Sequence, residues 1–282
     1  MDKYRASRVK SAAAWALAFV FAIVATVFAV MPFVFMVLNS FKEKFEMLQK
    51  GVFALPQELY LDNYIGVMAG NFGVFFRNSV LVLAVSLTLL LFVSACASYP
   101  LSKMHFGLAD PIYGVIVACM SIPLHITLIP VFRMMQNLHL YNTIWALPGP
   151  YIAFGVPISV FILTSFMKGI PDEIIESAEI DGCNKYGMFF RIMLPLSKPG
   201  LSTLAIYNGV NMWNEFSFAY TLTQDAAHRT LPLAVWEYRG QYSMNTPMIM
   251  AVLTLTVLPM IVLFAVAQDK LVKGMTAGAV KG

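Results

Sequence analysis

Charge is scarce in this 282-residue sequence: Asp, Glu, Lys and Arg make up 12% of it, and apolar residues make up 59%. Soluble domains carry about 25% charged residues, so the composition excludes an ordinary soluble globular protein. The formal net charge of +4 needs no nucleic acid to explain it. We therefore expect membrane lipid around the apolar residues, and no nucleic-acid partner.

Cysteine and histidine are scarce too. Cys96 and Cys119 fall in apolar runs and Cys183 in a charged segment, so no disulfide framework is available. The four histidines stand in separate segments without metal-ligand spacing, which predicts no metal site. The phosphate-binding pattern G-x-x-x-x-G-K-[ST] is also absent. We expect this chain to hold no cofactor and no phosphate-binding loop of its own.

Long uncharged runs are what the sequence has instead. A helix needs roughly 20 apolar residues to cross the hydrocarbon of a bilayer. These runs predict an all-α integral membrane protein, with one domain over residues 1–282 and six transmembrane helices. The prolines at 123, 130, 148, 150 and 157 are expected to kink the third and fourth helices. The six runs are residues 11–38, 78–102, 111–132, 142–167, 199–214 and 246–268.

The first run has an alternative interpretation as a signal peptide. Lys3, Arg5, Arg8 and Lys10 precede it and resemble a basic n-region. The run is longer than the roughly 7–15 apolar residues of a signal peptide, and no cleavage pattern ends it. We therefore expect a retained first helix.

Lysine and arginine predict the orientation, because they are enriched in cytoplasmic segments. The larger set lies in short segments beside the spans, so we expect residues 1–10, 171–196 and 269–282 in the cytoplasm. This predicts a multi-pass membrane protein with both termini in the cytoplasm. The larger set is Lys3, Arg5, Arg8, Lys10, Lys103, Lys168, Lys185, Arg191, Lys198, Lys270, Lys273 and Lys281; the smaller is Lys42, Lys44, Lys50, Arg77, Arg133, Arg229 and Arg239.

Residues 171–196, called the charged loop below, separate the fourth and fifth predicted helices. Pro171 suits a first helical turn, and the acidic residues after it suit the positive end of a helix. The spacing predicts a helix with an apolar and an acidic face. The apolar face is Ile174, Ile175 and Ala178, and the acidic face is Asp172, Glu176 and Glu179.

A second short helix is predicted in the same loop. Gly182 permits a sharp turn, Asn184 can cap the next helix, and Pro195 is expected to end it and return the chain to the membrane. Its apolar face is Phe189, Ile192 and Met193.

The acidic helix is better explained by a protein partner than by lipid. Helices that lie on membranes are normally rich in lysine and arginine. Residues 171–181 contain neither, and they carry five carboxylates. The hairpin is therefore expected to dock on another protein.

The charged loop resembles the cytoplasmic EAA loop of binding-protein-dependent ABC importer permeases. That pattern is E-A-A, three residues, G, nine residues, then I-x-L-P, and the spacing here fits it. Ser177 and Cys183 stand where the family usually has alanine. The matching residues are Glu176-Ser177-Ala178, Asp181-Gly182 and Ile192-Met193-Leu194-Pro195.

Other segments are similar to the carbohydrate branch of this family, to which the maltose-type permeases belong. They are Leu61-Asp62-Asn63-Tyr64, Asn78-Ser79, the run from Pro150 to Gly155, Trp213-Asn214-Glu215-Phe216, and residues 273–282.

The resemblance implies a channel subunit of the bacterial cytoplasmic membrane rather than an enzyme. Two permease chains would form the path, two ATPase subunits or domains would hold ATP and magnesium, and an extracytoplasmic binding protein would deliver a sugar or oligosaccharide. The charged loop would be the coupling helix on the ATPase. The residues expected to couple the two are Glu176, Ser177, Ala178, Asp181, Gly182, Ile192, Leu194 and Pro195.

The fifth run is rich in polar residues that could line the substrate path, since polar groups within spans usually face a cavity or the bundle interior. An interfacial anchor around Trp213 and Glu215 is the alternative. Residues 39–76 and the external loop 223–245 are expected to face the binding protein, and for the loop an ordinary solvated connector is the alternative. The path candidates are Tyr207, Asn208, Asn211, Asn214 and Glu215.

Three other classes remain to be separated. A secondary transporter would place charged residues deep in its spans, and they are almost absent here. A membrane enzyme would need paired carboxylates, a His/Cys cluster or a nucleophile motif in the spans, and a structural scaffold would not need the glycine-hinged loop. Dependence of uptake on ATP rather than on an ion gradient separates an importer from a secondary transporter.

Overall fold

The computed structural model describes residues 2–238 and 245–279, with side chains described for residues 15–238 and 245–265. All regular elements of these residues are helical, and no strand occurs among them. The predicted all-α class is confirmed. Residues 239–244 of the predicted external loop, and 280–282 of the predicted tail, lie outside the described part.

The α-helices in chain order are α1 (Asp2–Ser40), α2 (Lys44–Lys50), α3 (Asp62–Ala69), α4 (Phe72–Lys103), α5 (Ala109–Ala118), α6 (Leu128–Asn137), α7 (Pro148–Lys168), α8 (Asp172–Ile180), α9 (Lys185–Gly187), α10 (Leu194–Leu196), α11 (Lys198–Trp213), α12 (Ser217–Leu222) and α13 (Thr246–Ala279). Short 3₁₀-helices occupy Cys119–Ser121, Leu124–Thr127, Ile144–Ala146, Ala226–His228 and Leu231–Tyr238, and Met188–Met193 form a π-helix.

Four helical segments among the described residues are long and apolar enough to cross a membrane: Trp15–Ser40, Phe72–Lys103, Ile144–Lys168 and Thr246–Ala265. They correspond to the predicted first, second, fourth and sixth spans. The predicted fifth span is the 16-residue helix α11. It is therefore about 24 Å long, somewhat short of the usual hydrocarbon thickness.

The predicted third span is broken. Ala109–Ser121 and Leu124–Asn137 meet at 92°, and Pro123 lies in the break. Because proline restricts the residue before it to extended conformations, Ile122 leaves the helical region, with ψ at 114°. The predicted fourth span is one continuous helix, since Pro148 and Pro150 lie in its first turn and only Pro157 lies inside it.

The described chain divides into two compact units. The first comprises residues up to Gly70 together with Glu237–Val257. Lys42 of this unit is fully buried just after α1. The Lys42 amine donates hydrogen bonds to Asn39 Oδ1 at 2.9 Å, and to the carbonyls of Gly51 at 3.3 Å and Val52 at 3.2 Å. Charge counting gave no indication that this lysine is buried.

The second unit comprises Asn71–Trp236 and the residues from Leu258 onward. Within it α4 packs along α7, and α11 packs against both. Two apolar clusters lie along this packing. One contains Val82 and Leu90 of α4; the other contains Ala95 and Tyr99, further toward the end of α4.

Candidate functional site

The first half of the charged loop forms α8 and a glycine turn. Asp172 and Glu173 lie in the first turn of α8, as predicted. At its other end the Gly182 amide donates to the Glu179 carbonyl at 3.0 Å, and the Cys183 amide donates to the Ala178 carbonyl at 2.9 Å. This pair of bonds is a Schellman motif, which needs a left-handed residue at its turn. Gly182 supplies it with φ of +79°.

The second half of the loop begins with the predicted cap. Asn184 Oδ1 accepts the Gly187 amide at 2.8 Å. The π-helix Met188–Met193 follows and continues directly into α10.

Pro195 does not end the second helix, so that prediction was wrong. It lies in the first turn of α10, and the turn out of the loop comes two residues later at Ser197. A proline lacks the amide for a helical bond and crowds the preceding turn. The wider π-helical turns before Pro195 loosen the regular hydrogen-bond pattern at the point where the proline enters.

The apolar side of the loop packs on the ends of α4 and α7. Ala178, Phe189 and Met193 are buried in the cluster that contains Tyr99 of α4 and Met167 of α7. Ile175, Ile192 and Leu194 pack against the same cluster. Ile174 was predicted to lie on this apolar face, but 38% of it is exposed, so that part of the prediction was wrong.

A basic residue of α4 joins the beginning of the loop. Lys103 Nζ donates to Asp172 Oδ1 at 2.6 Å and to the Ile170 carbonyl at 2.5 Å. The Lys103 side chain is 4% exposed and that of Asp172 is 74% exposed. The hydrogen bond and the charge of Lys103 lower the pKa of the Asp172 carboxyl below its usual value.

The outer surface of the loop mixes carboxylates with apolar side chains. Glu176, Ser177, Asp181, Gly182 and Pro195 are exposed there. Sequence reasoning missed the apolar part of this surface, although one signal was available: Ile180 lies about 140° around the helix from Ile175, off the apolar stripe. The most exposed apolar side chains of the loop are Ile180 at 86%, Tyr186 at 79% and Phe190 at 52%.

A cavity of about 290 Å³ lies beside α7 and α11 and is called the Asn208 cavity below. Four of the five predicted path residues line it: Tyr207, Asn208, Asn211 and Glu215. Asn214 is not among the lining residues and is exposed. Its position one turn beyond Asn211, off by about 60° around the helix, carries it to another face.

Asn208 is held at the buried wall of this cavity. It is 3% exposed, and its Nδ2 donates to Ser159 Oγ and to the Leu204 carbonyl, both at 3.0 Å. A β-carbon at Gly155 would come within 2.7 Å of Leu90 and 3.2 Å of Asn208 Oδ1. Gly155 therefore allows α4, α7 and α11 to approach closely around the amide.

Tyr151 and Glu215 join two of the segments that resemble the carbohydrate branch. The Tyr151 hydroxyl donates to Glu215 Oε2 at 3.0 Å. The same carboxylate accepts the Phe218 amide at 2.8 Å and the Ala219 amide at 3.1 Å, and so caps the start of α12. Glu215 thus lines the cavity and also fixes the turn that follows α11.

Two of the other resembling segments, those with Asn63 and with Asn78-Ser79, hold neighbouring parts of the chain by side-chain hydrogen bonds. Asn78 Nδ2 donates to the carbonyls of Ala227 and Arg229, each at 2.9 Å, and Ser79 Oγ accepts the Leu231 amide at 2.8 Å. These bonds anchor residues 227–231 of the predicted external loop on α4. In the first unit, Asn63 Nδ2 donates to the Ser40 carbonyl at 2.9 Å and the Lys42 carbonyl at 2.8 Å.

Comparison with known proteins gives a consistent result. A family model described as "Binding-protein-dependent transport system inner membrane component" matches residues 94–277. A putative ABC transporter permease of Caldicellulosiruptor sp. is 44% identical over 264 residues, covering 94% of this chain and 96% of that protein. The arabinooligosaccharides transport system permease AraQ of Halalkalibacterium halodurans is 34% identical over 272 residues, covering 95% and 96%.

Among solved structures, a bacterial ABC transporter involved in the import of the acidic polysaccharide alginate contains a similar chain. The TM-score is 0.78 with 19% identity, over 90% of this chain and 95% of that chain. The similarity extends the shared fold over nearly the whole sequence.

Proposed function

The chain belongs to the family of binding-protein-dependent transport system inner membrane components, and from this we propose that it is the permease subunit of an ATP-driven saccharide importer. As an ABC transporter permease it is a multi-pass inner-membrane channel subunit, and ATP is hydrolysed by a separate subunit. With a second permease it forms the path for a sugar or oligosaccharide that a binding protein delivers.

We propose six membrane crossings with both termini in the cytoplasm. The bent pair Ala109–Ser121 and Leu124–Asn137 serves as the third crossing, and α11 serves as the fifth. The basic residues support this orientation, because the larger set flanks the ends assigned to the cytoplasm.

The observation that carries the proposal is the construction of the charged loop. Its apolar side is packed on α4 and α7, and its exposed side presents Glu176, Ile180 and Tyr186. A surface that mixes apolar anchors with carboxylates suits a groove on a protein. We propose that it docks on the ATPase, so that ATP-driven closure moves the ends of α4 and α7.

The energy of this movement has to come from outside the chain. Moving a two-state population from 1:99 to 99:1 needs about 5.5 kcal/mol of differential binding. Closure of the two ATPase subunits or domains, with bound ATP and magnesium, and docking of the binding protein supply it in this proposal.

We place the substrate path at the Asn208 cavity. Amide groups and the tyrosine ring of Tyr207 line it, and these groups suit the hydroxyls and ring faces of a sugar. The saccharide assignment rests on relatives such as AraQ, which is named for arabinooligosaccharides.

The proposal is tested by affinity purification of the tagged chain from mild detergent. We expect a second permease and an ATPase to copurify with the wild type, and the ATPase to be lost from Gly182→Pro. ATP-dependent uptake in vesicles with the binding protein is the second readout. A chain that purifies alone and still mediates uptake driven by an ion gradient would be a secondary transporter instead.

A further inference from the structure

A second cavity, of about 550 Å³, lies in the second unit and is called the aromatic cavity below. It falls within the roughly 300–1,000 Å³ typical of ligand sites. Its lining includes four aromatic side chains and two long polar ones: Phe132, Tyr141, Tyr220, Trp236, Gln224 and Arg229.

The aromatic rings are arranged as a platform with a second pair beside it. Tyr220 and Trp236 stack with centroids 5.4 Å apart at 29°, and Phe216 stacks on Tyr220 at 5.6 Å and 10°. Phe132 and Tyr141 meet edge to face at 5.0 Å. Tyr220 remains 54% exposed, so stacking leaves part of its surface open to a ligand.

The side chains of Gln224 and Arg229 supply two donor groups beside the platform, and the main chain of both residues is held by hydrogen bonds. The Gln224 amide nitrogen of the main chain donates to Asn142 Oδ1 at 2.8 Å, and the Arg229 carbonyl accepts from Asn78 at 2.9 Å. Within residues 15–238 and 245–265, neither the Gln224 amide group nor the Arg229 guanidinium has a side-chain hydrogen-bond partner. No carboxylate lines the cavity in that part of the chain.

The aromatic platform together with the Gln224 and Arg229 donors indicates which class of ligand the cavity would bind. A lipid chain would leave Arg229 and Gln224 unpaired, and an organic cation would be repelled by the guanidinium. A sugar ring has an apolar C–H face for stacking and an edge of hydroxyl or carboxylate oxygens that can accept from both donors. We propose that the aromatic cavity is a saccharide-binding subsite of this chain, distinct from the Asn208 cavity.

The two cavities share α12 as a wall. Phe218 lines the Asn208 cavity, and Tyr220 lines the aromatic cavity. Two residues apart, they project about 200° apart around a helix. A saccharide in the aromatic cavity is therefore one helix away from the proposed path. This inference rests on the proposed function, because it assigns a waiting position to the substrate of that path.

The test uses the assembled transporter in lipid nanodiscs without the binding protein. Saturation-transfer NMR is recorded with arabinotriose, maltotriose and trigalacturonate, so that neutral and acidic saccharides are separated. We expect ring C–H signals from at least one of them. Loss of the platform in Tyr220→Leu should weaken that binding about three- to tenfold, and Arg229→Gln should weaken trigalacturonate more than the neutral sugars.

Phe92→Leu, as the control for Tyr220→Leu, and Asn211→Ala, as the variant of the Asn208 cavity, show which cavity holds the bound sugar. Phe92→Leu removes an exposed aromatic ring of α4 that lines neither cavity, and it should leave the signal unchanged. Binding that survives Tyr220→Leu and is lost in Asn211→Ala would place the sugar in the Asn208 cavity only and overturn the subsite. A phospholipid retained by the wild type and lost from Tyr220→Leu, with no saccharide signal, would overturn it too.

Failure of the subsite and failure of the importer assignment give different results. If the subsite is wrong, uptake remains ATP-dependent and Tyr220→Leu binds saccharide like the wild type. If the importer assignment is wrong, uptake does not depend on ATP or on the binding protein in any variant.

Discussion

Lys103 Nζ lies 2.6 Å from Asp172 Oδ1, and the last residue of α4 is thereby bonded to the first residue of α8. The same amine donates to the Ile170 carbonyl, so it fixes the chain on both sides of Pro171. If α8 transmits ATPase closure, this contact is one route by which the motion reaches α4.

We predict that Asp172→Asn lowers the saccharide imported per ATP hydrolysed about two- to fivefold, the size expected for a surface ion pair, since the Asp172 side chain is 74% exposed. The transporter should still assemble, because the apolar packing of the loop is untouched. The ratio is measured in proteoliposomes with the binding protein. Glu173→Gln is the matched control, since it removes the neighbouring exposed carboxylate without touching Lys103.

The pair should not make transport sensitive to pH near neutrality. The folded-state pKa of Asp172 is lowered, so its stabilising contribution is complete above the unfolded value of about 3.9. It is lost only as the pH falls through the lower folded value. A coupling ratio in the wild type that fell between pH 8 and pH 6, and did not fall in Asp172→Asn, would contradict this account.

Substitution of Gly182 is predicted to separate ATP hydrolysis from uptake. A β-carbon at a left-handed position costs roughly 1–2 kcal/mol, and proline cannot adopt φ of +79° at all. Gly182→Pro would also lose the amide bond to Glu179. We expect it to remain in the membrane with ATPase docking lost, and Glu176→Lys to be uncoupled by charge reversal on the exposed face.

Gly107→Ala is the matched control for Gly182. A β-carbon at Gly107 would have no neighbour within 4 Å, and its φ is not left-handed. It should purify with the ATPase and transport normally. Normal uptake in vesicles by Gly182→Pro or Glu176→Lys would refute the coupling role.

Periodicity and turn chemistry predicted the local structure of the charged loop well. The Gly182 turn and the Asn184 cap follow from backbone geometry within a few residues, which a sequence displays directly. The π-helix before Pro195 was not predictable in this way. Phe189 and Met193 of this segment pack with Tyr99 of α4 and Met167 of α7, and contacts with such distant parts of the chain are not visible in local spacing.

The polar residues show the same division. The sequence indicated which residues of α11 were polar, and the spacing of 208 and 211 suggested one face. The sequence did not indicate which side chains these polar residues would hydrogen-bond. The contact of Tyr151 with Glu215 joins residues 64 positions apart, and the buried Lys42 amine bonds carbonyls nine and ten residues away. Bonds of this kind follow from the fold and are not visible as a pattern.

Lys42→Met is predicted to destabilise the first unit by about 1–3 kcal/mol, because the buried Asn39 side chain and the carbonyls of Gly51 and Val52 would lose their donor. Thermal unfolding in detergent measures it. Lys50→Met, at an exposed lysine in the last turn of α2, is the control and should shift the melting temperature little. Equal shifts in the two variants would show that the buried bonds contribute nothing.

The same lysine predicts a dependence on alkaline pH. Burial lowers the pKa of Lys42. At neutral pH the amine is charged in both states, and burial of that charge costs free energy only in the folded state. Stability should therefore rise as the pH increases from the folded pKa toward the unfolded value of about 10.4. The rise should be absent from Lys42→Met. A wild type whose stability fell over that range in parallel with Lys42→Met would contradict the prediction.

Asn211 and Asn214 offer the sharpest test of the proposed path, because the two amides are matched in everything but position. Each is exposed and donates to the carbonyl four residues earlier at 2.9 Å, yet only Asn211 lines the Asn208 cavity. Removing one hydrogen bond to a substrate hydroxyl costs about 0.5–1.5 kcal/mol. We therefore expect Asn211→Ala to change the concentration dependence or maximal rate of uptake about three- to tenfold, and Asn214→Ala to transport like the wild type.

The double variant Asn208→Ala/Asn211→Ala should be affected more strongly, since Asn208 also bonds Ser159 across α7 and α11. Its yield and melting temperature are measured beside uptake, because loss of that bond alone could loosen the helices. Ser159→Ala breaks the same contact and leaves the Asn208 amide in place, so it separates packing from recognition. Wild-type uptake by the double variant, or an equal loss in Asn214→Ala, would remove the Asn208 cavity from the path.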